Sequence, residues 1–84
     1  MTFSVYMIKT INSHVNKTYV GYSKNVKIRL KNHNSNKGAK STKGYKWVLV
    51  YKRNFKTKSE AMSYEYKLKK DRKKRLSILK RNNV

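Results

Sequence analysis

Apolar and polar positions along the chain divide it into six segments. Residues 3–11 (FSVYMIKTI) carry β-branched and aromatic side chains on both faces, which predicts a strand. The polar stretch 12–16 predicts a hairpin loop, and residues 17–22 (KTYVGY) the returning strand. Val26 and Leu30, four apart, share one face of a helix expected over about 24–35, with Ser23 as its N-cap. Residues 36–44 form a basic loop of small residues. Residues 45–53 (YKWVLVYKR) are apolar on both faces around Val48, Leu49 and Val50, which predicts a strand that is central or covered on both sides. Thr57 or Ser59 can cap a second helix reaching Lys70. Beyond Asp71, RKKRLSILKR reads as a short third helix with Leu76, Ile78 and Leu79 as its apolar residues, and 82–84 as a frayed end. The order β-β-α-β-α-α predicts an α+β fold, a three-stranded antiparallel sheet flanked by three helices, in one domain over residues 1–84.

Charge changes this picture from a small fold to a fold with a partner. Of 84 residues, 23 are Lys or Arg and 3 are Asp or Glu, giving a formal charge of +20. A chain so positive repels itself and attracts polyanions, so nucleic acid is the expected partner. The lysines at 37, 40 and 43 and the cluster Lys69, Lys70, Arg72, Lys73 and Lys74 are candidates to bind phosphate backbone without reading sequence. With only Glu60, Glu65 and Asp71 as carboxylates, a two-metal nuclease or polymerase site is excluded. No cysteine means no disulfide, no zinc finger and no thiol catalysis, and His14 and His33 are too few for a His-rich metal site. No apolar run approaches the ~20 residues that span a bilayer, and no signal peptide opens the chain. An intracellular protein without membrane contact is expected. Its function is then either binding nucleic acid or acting on it with very few acids.

On a helical wheel, Ala61, Tyr64 and Leu68 form an apolar arc that Met62 and Tyr66 extend. Glu65 falls inside that arc, and Glu60 outside it. An inward carboxylate is costly unless it meets a cation or a metal. The plain alternative is an ion pair with Lys69 one turn on. Arg29 and His33 also lie four apart, at the edge of the stripe made by Val26 and Leu30. There an arginine can hold a phosphate bidentately, and a histidine can orient or deprotonate a water; the alternative is a solvated basic helix. Seven tyrosines suit half-buried strand positions. Tyr19 is distinct because Gly21 shares its parity and leaves a hollow beside it. Nearby cations can lower the pKa of a phenol placed there and make it a base.

Together these blocks resemble the GIY-YIG nuclease domain over about residues 3–80. Ser4-Val5-Tyr6 stands where the family has G-I-Y and Tyr19-Val20-Gly21 where it has Y-I-G, with twelve residues (7–18) between. Residues 29–34 (RLKNHN) are similar to R-L-x-x-H-N. Residues 38–42 (GAKST) resemble the G-A-K-Y-T loop of small stand-alone members, 47–51 (WVLVY) their third strand, and Glu60-Ala61, Glu65 and Lys69 their E-A-x-x-x-E-x-x-x-K helix. Departures are Ser4 for glycine, expected to tighten the strand locally, and Ser41 for a loop tyrosine.

The resemblance implies a metal-dependent DNA endonuclease. Glu65 would be the single protein ligand of one Mg²⁺ or Mn²⁺, Arg29 a clamp on the scissile phosphate, and Gly21 a structural residue. Tyr6, Tyr19 or His33 would be the base. DNA structure or strandedness, more than sequence, is the expected basis of recognition. Paired cuts would call for a homodimer and site choice for a targeting partner protein, and no residues mark an interface for either. A non-catalytic basic nucleic-acid-binding protein is the alternative.

Overall fold

The computed structural model describes residues 2–81. Its elements are β1 (Phe3–Ile11), β2 (Thr18–Ser23), α1 (Val26–Asn34), a 3₁₀ turn (Lys40–Thr42), β3 (Lys46–Phe55), α2 (Lys58–Lys70) and α3 (Arg72–Arg81). The predicted order and α+β class hold; the frayed end expected at 82–84 lies outside the described residues. Among those residues no helix is long and apolar enough to cross a membrane.

β1 sits in the middle of an antiparallel sheet ordered β2-β1-β3. Its two apolar parities serve two cores. Val5 and Met7 join Val20, Val50, Ala61, Leu68 and Ile78 under α2 and α3. Tyr6 and Ile8 join Val26 and Trp47 under α1. Helices therefore cover both faces of the sheet, and residues 5–8 of the strand between them are hydrophobic and buried on both faces.

β3 is an edge strand, so of the two alternatives expected for it the central strand is corrected and the strand covered on both sides holds. Its apolar residues on both faces have a different cause. Pairing with β1 slips from Met7↔Tyr51 to Ile8↔Leu49, leaving Val50 as an extra residue in a bulge. Leu49 thus faces the α1 core, while Val50 and Tyr51 both pack on the other. Val48 stays exposed. Ser4 donates to Asn54 Oδ1 at 2.6 Å, tying β1 to its edge partner.

Ser23 is not the cap of α1. Its Oγ accepts from the Asn25 amide and donates to the Asn25 carbonyl, closing a turn. Asn25 itself caps the helix, its Oδ1 accepting from Ile28 N at 3.1 Å. Thr57 caps α2 as expected, its hydroxyl accepting from Glu60 N and donating to Glu60 Oε1. On α2, Ala61 and Leu68 are buried, whereas Met62 and Tyr66 are exposed and do not extend the buried arc. The turn between α2 and α3 is fastened by Arg75, whose Nη1 donates to the carbonyls of Leu68 and Lys69.

Candidate active site

Tyr6 and Gly21 are direct cross-strand partners on β1 and β2. A Cβ at Gly21 would lie 2.6 Å from the Tyr6 hydroxyl oxygen and 2.8 Å from Cζ. The hollow expected beside Tyr19 is thus filled by the Tyr6 phenol, and glycine is the residue that lets it lie there. Tyr6 is wholly buried.

Its hydroxyl lies 2.9 Å from His33 Nε2, and His33 Nδ1 lies 2.9 Å from Thr42 Oγ1. Thr42 in turn donates its only hydroxyl hydrogen to the Ala39 carbonyl at 2.8 Å. That commitment assigns every proton in the chain. Thr42 can only accept from His33, so Nδ1 carries the hydrogen. Nε2 then holds a lone pair and accepts the hydrogen of Tyr6. His33 is fully buried, not at the edge of α1 as its spacing suggested. The last turn of α1 drives the ring under the 36–44 loop, where a Cβ on Gly38 would come within 2.3 Å of Nδ1. Asn36, at φ 63°, lets the chain turn back out of the helix, and its Oδ1 accepts from Gly44 N.

Tyr19 is half-buried, its ring centroid 5.0 Å from that of His33 and 6.4 Å from that of Tyr6. One turn before His33, the Arg29 guanidinium bears on the Tyr6 and Tyr19 hydroxyls, and the Tyr6 hydroxyl above all raises its pKa. Arg29 Nε is buried and hydrogen-bonds to nothing among the described residues. A buried donor without a partner is costly, and Arg29 as a whole is only half-buried, so the residue still faces solvent where an anion could approach. Burial pushes the Tyr6 phenol above its ordinary value; Arg29 opposes this, while Tyr19 and Glu65 add to it. Tyr6 is therefore a neutral phenol at rest, not an acidified one.

Glu65 stands within electrostatic reach of that phenol. Its side chain is 18% exposed, and Oε1 lies 3.6 Å from Lys69 Nζ, so the helical ion pair does form. Among the described residues no three of His, Asp or Glu gather as a ready-made metal cage. Magnesium, however, takes one or two carboxylates and completes its shell with water and substrate oxygens, and a single accessible carboxylate fits that habit.

The side chains of Tyr6, Tyr19, Arg29 and His33 are brought together, with Glu65 within electrostatic reach of Tyr6. The lysines are more dispersed. Lys37, Lys40 and Lys43 are exposed on the loop that holds Thr42; Lys70, Arg72 and Lys73 border a shallow hollow beside Tyr66; Lys74 is exposed at the start of α3. Thr42 and Gly38 had no assigned role, although both fall in the GAKST block, where a glycine four residues before a hydroxyl was the available signal.

Burial first, and the Arg29 charge second, lower the His33 pKa below its ordinary 6.5. Unfolded, the ring takes up a proton as pH falls through that value; folded, it stays neutral. The unfolded state then binds more protons, so stability is present above about pH 6.5 and is lost as pH falls toward the folded value. Melting temperature is expected to drop between about pH 7 and 5, and His33→Phe to flatten that slope. An unchanged slope in the variant would contradict this.

The GIY-YIG catalytic domain model matches residues 2–81. A UPF0213 protein of Staphylococcus haemolyticus is 47% identical over 66 residues, 77% of each chain. One from Staphylococcus aureus is 41% identical over 78 residues, 90% of this chain and 92% of its own. The solution structure of a UPF0213 protein from Bacillus halodurans superposes with a TM-score of 0.53 at 34% identity, covering 95% of this chain and 84% of that one. With the catalytic-domain match running almost end to end, the chain belongs to the GIY-YIG family, whose domains are of nuclease type.

Proposed function

We propose that the protein is a metal-dependent DNA endonuclease that cuts phosphodiester bonds at the site formed by Tyr6, Tyr19, Arg29, His33 and Glu65. The observation carrying this reading is the buried Arg29 Nε without a partner, beside two phenol oxygens and a lone carboxylate. A basic protein gains nothing in stability from burying such a donor, whereas a guanidinium held this way in a half-buried residue is placed to meet a phosphoryl oxygen.

The residues divide the work by exposure. Tyr6 is buried and its hydrogen is committed to His33, so its oxygen lone pairs are left to hold the Arg29 guanidinium. The His33–Thr42–Ala39 chain fixes the ring and hence the phenol. Arg29 then meets the scissile phosphate already oriented, which is where preorganised charge is most effective. Tyr19 is the phenol that solvent reaches. It accepts a hydrogen bond from the attacking water and takes its proton as the new P–O bond forms, passing its own hydrogen to solvent. The P–O bond to the leaving oxygen breaks in line, and that oxygen takes a proton from solvent to depart as a hydroxyl. Glu65 would hold one hydrated Mg²⁺ or Mn²⁺, which supplies Lewis-acid charge to the phosphate oxygens.

The test is a panel of single-stranded, duplex and branched DNA incubated with Mg²⁺, with Mn²⁺ and with a chelator. Strand scission is expected in metal and none in chelator. Tight, salt-sensitive binding without scission of any substrate would instead select the non-catalytic reading.

A further inference from the structure

A groove of about 550 Å³ lies between the loop end of the β1–β2 hairpin and α3. Lys9, Thr18, Arg72, Arg75, Leu76 and Leu79 are among its walls. A smaller hollow of about 260 Å³ opens against Tyr19 and Lys69 and shares Thr18 and Arg75 with the groove. The two make one path from the β2 edge at Thr18, Tyr19 and Val20, where Lys69 pairs with Glu65, to α3, and among the described residues no acidic side chain lines either. Lys17 also borders the groove, but its ammonium stands over the Tyr45 ring. Arg75 is clamped in place by the Leu68 and Lys69 carbonyls, so its charge is fixed where the two cavities meet. Leu76 is 47% exposed.

We propose that this groove holds the unpaired flank of the DNA strand as it leaves the cutting site, a role that rests on the nuclease reading above. Lys9, Arg72 and Arg75 would take successive phosphates, and Leu76 would back a base. Volume and chemistry favour an unpaired strand over a duplex. The groove is of small-ligand size, and only an unpaired base offers its face to an apolar wall. The path leaves the site along one edge of β2, so only one strand polarity can follow it.

Binding is measured by fluorescence anisotropy in chelator, comparing a blunt duplex with duplexes bearing a short 5′ or 3′ single-stranded overhang. One polarity is expected to tighten binding at least about tenfold, a modest gain for ordered phosphates and one stacked base. The pair Lys9→Gln with Arg72→Gln should erase that gain. So should Leu76→Glu, a solvent-facing change that brings a negative charge into the groove. No overhang gain, an equal gain for both polarities, or a gain that survives both variants would overturn the groove assignment. A polarity-specific gain in a protein that never cuts DNA would uphold the groove and overturn the nuclease reading instead.

Discussion

Glu65→Ala is expected to lower DNA cleavage by a factor of at least about 10³ while leaving the fold almost untouched. A metal ligand and a preorganised electrostatic group each contribute on the order of several kcal/mol to a barrier of this kind. Stability should respond weakly, because the visible partner of Glu65 is an i,i+4 lysine at 3.6 Å. Such helical pairs contribute about 0.3–0.5 kcal/mol. The contrast separates the two readings of this carboxylate. A structural ion pair predicts a small loss in both melting temperature and rate; a ligand predicts a collapse in rate alone. Glu60→Ala is the internal control. It removes the other carboxylate of α2, an exposed acid in the first turn of the helix that accepts from the Thr57 hydroxyl, so it should cost about 0.5 kcal/mol of stability and leave cleavage intact. Single-turnover cleavage and thermal melts on both variants decide the matter. Equal rates in wild type and Glu65→Ala would remove this residue from the site.

His33→Ala should be the most destabilising change in the site, at about 3 kcal/mol or more. It empties a fully buried ring position and strands the buried Tyr6 hydroxyl, while Thr42 keeps only its bond to the Ala39 carbonyl. In a domain of this size each kcal/mol shifts melting by roughly 4–8 °C. His33→Phe keeps most of the volume and loses only the hydrogen bonds, so it should fall between wild type and alanine. A second substitution gives a sharper outcome. Gly38→Ala alone forces a methyl to within 2.3 Å of His33 Nδ1 and should be poorly tolerated. In the His33→Ala background the same methyl enters vacated space. The double variant is therefore expected to be more stable than the sum of the single losses, a coupling that melts can read directly. Simple additivity would show that ring and loop are not packed as described.

Much of this architecture could be read locally. The doubly apolar run 3–11 is what a strand covered on both faces requires, and Thr57 with Glu60 three residues on marks the start of α2. The cluster of Tyr6, Tyr19, Arg29, His33 and Glu65 was also legible, because the GIY-YIG-like blocks carry each member in order. What escaped the sequence depends on relations across the fold. The pattern around Val48 to Val50 matches a central strand, and only the bulge opposite Met7 and Ile8 shows how an edge strand can have it. The depth of His33 is set by a loop that folds Thr42 back over the ring, and helical spacing alone says nothing of that closure. Met62 and Tyr66 fit an apolar arc on the wheel, yet both are exposed, and the Tyr66 ring meets the Lys70 ammonium instead of a core. Arg75 looked like one more cation in a basic run until its hydrogen bonds tied it to the end of α2.

Paramagnetic line broadening by Mn²⁺ examines the convergence of these side chains on one metal position. Mn²⁺ is titrated into isotope-labelled protein holding an uncleavable phosphorothioate DNA strand. The signals of Glu65, Tyr6, Tyr19 and the Arg29 guanidinium should broaden first and together, and Glu65→Ala should abolish the effect. Broadening centred on Glu60 or Asp71, or unchanged by Glu65→Ala, would contradict a metal site at Glu65.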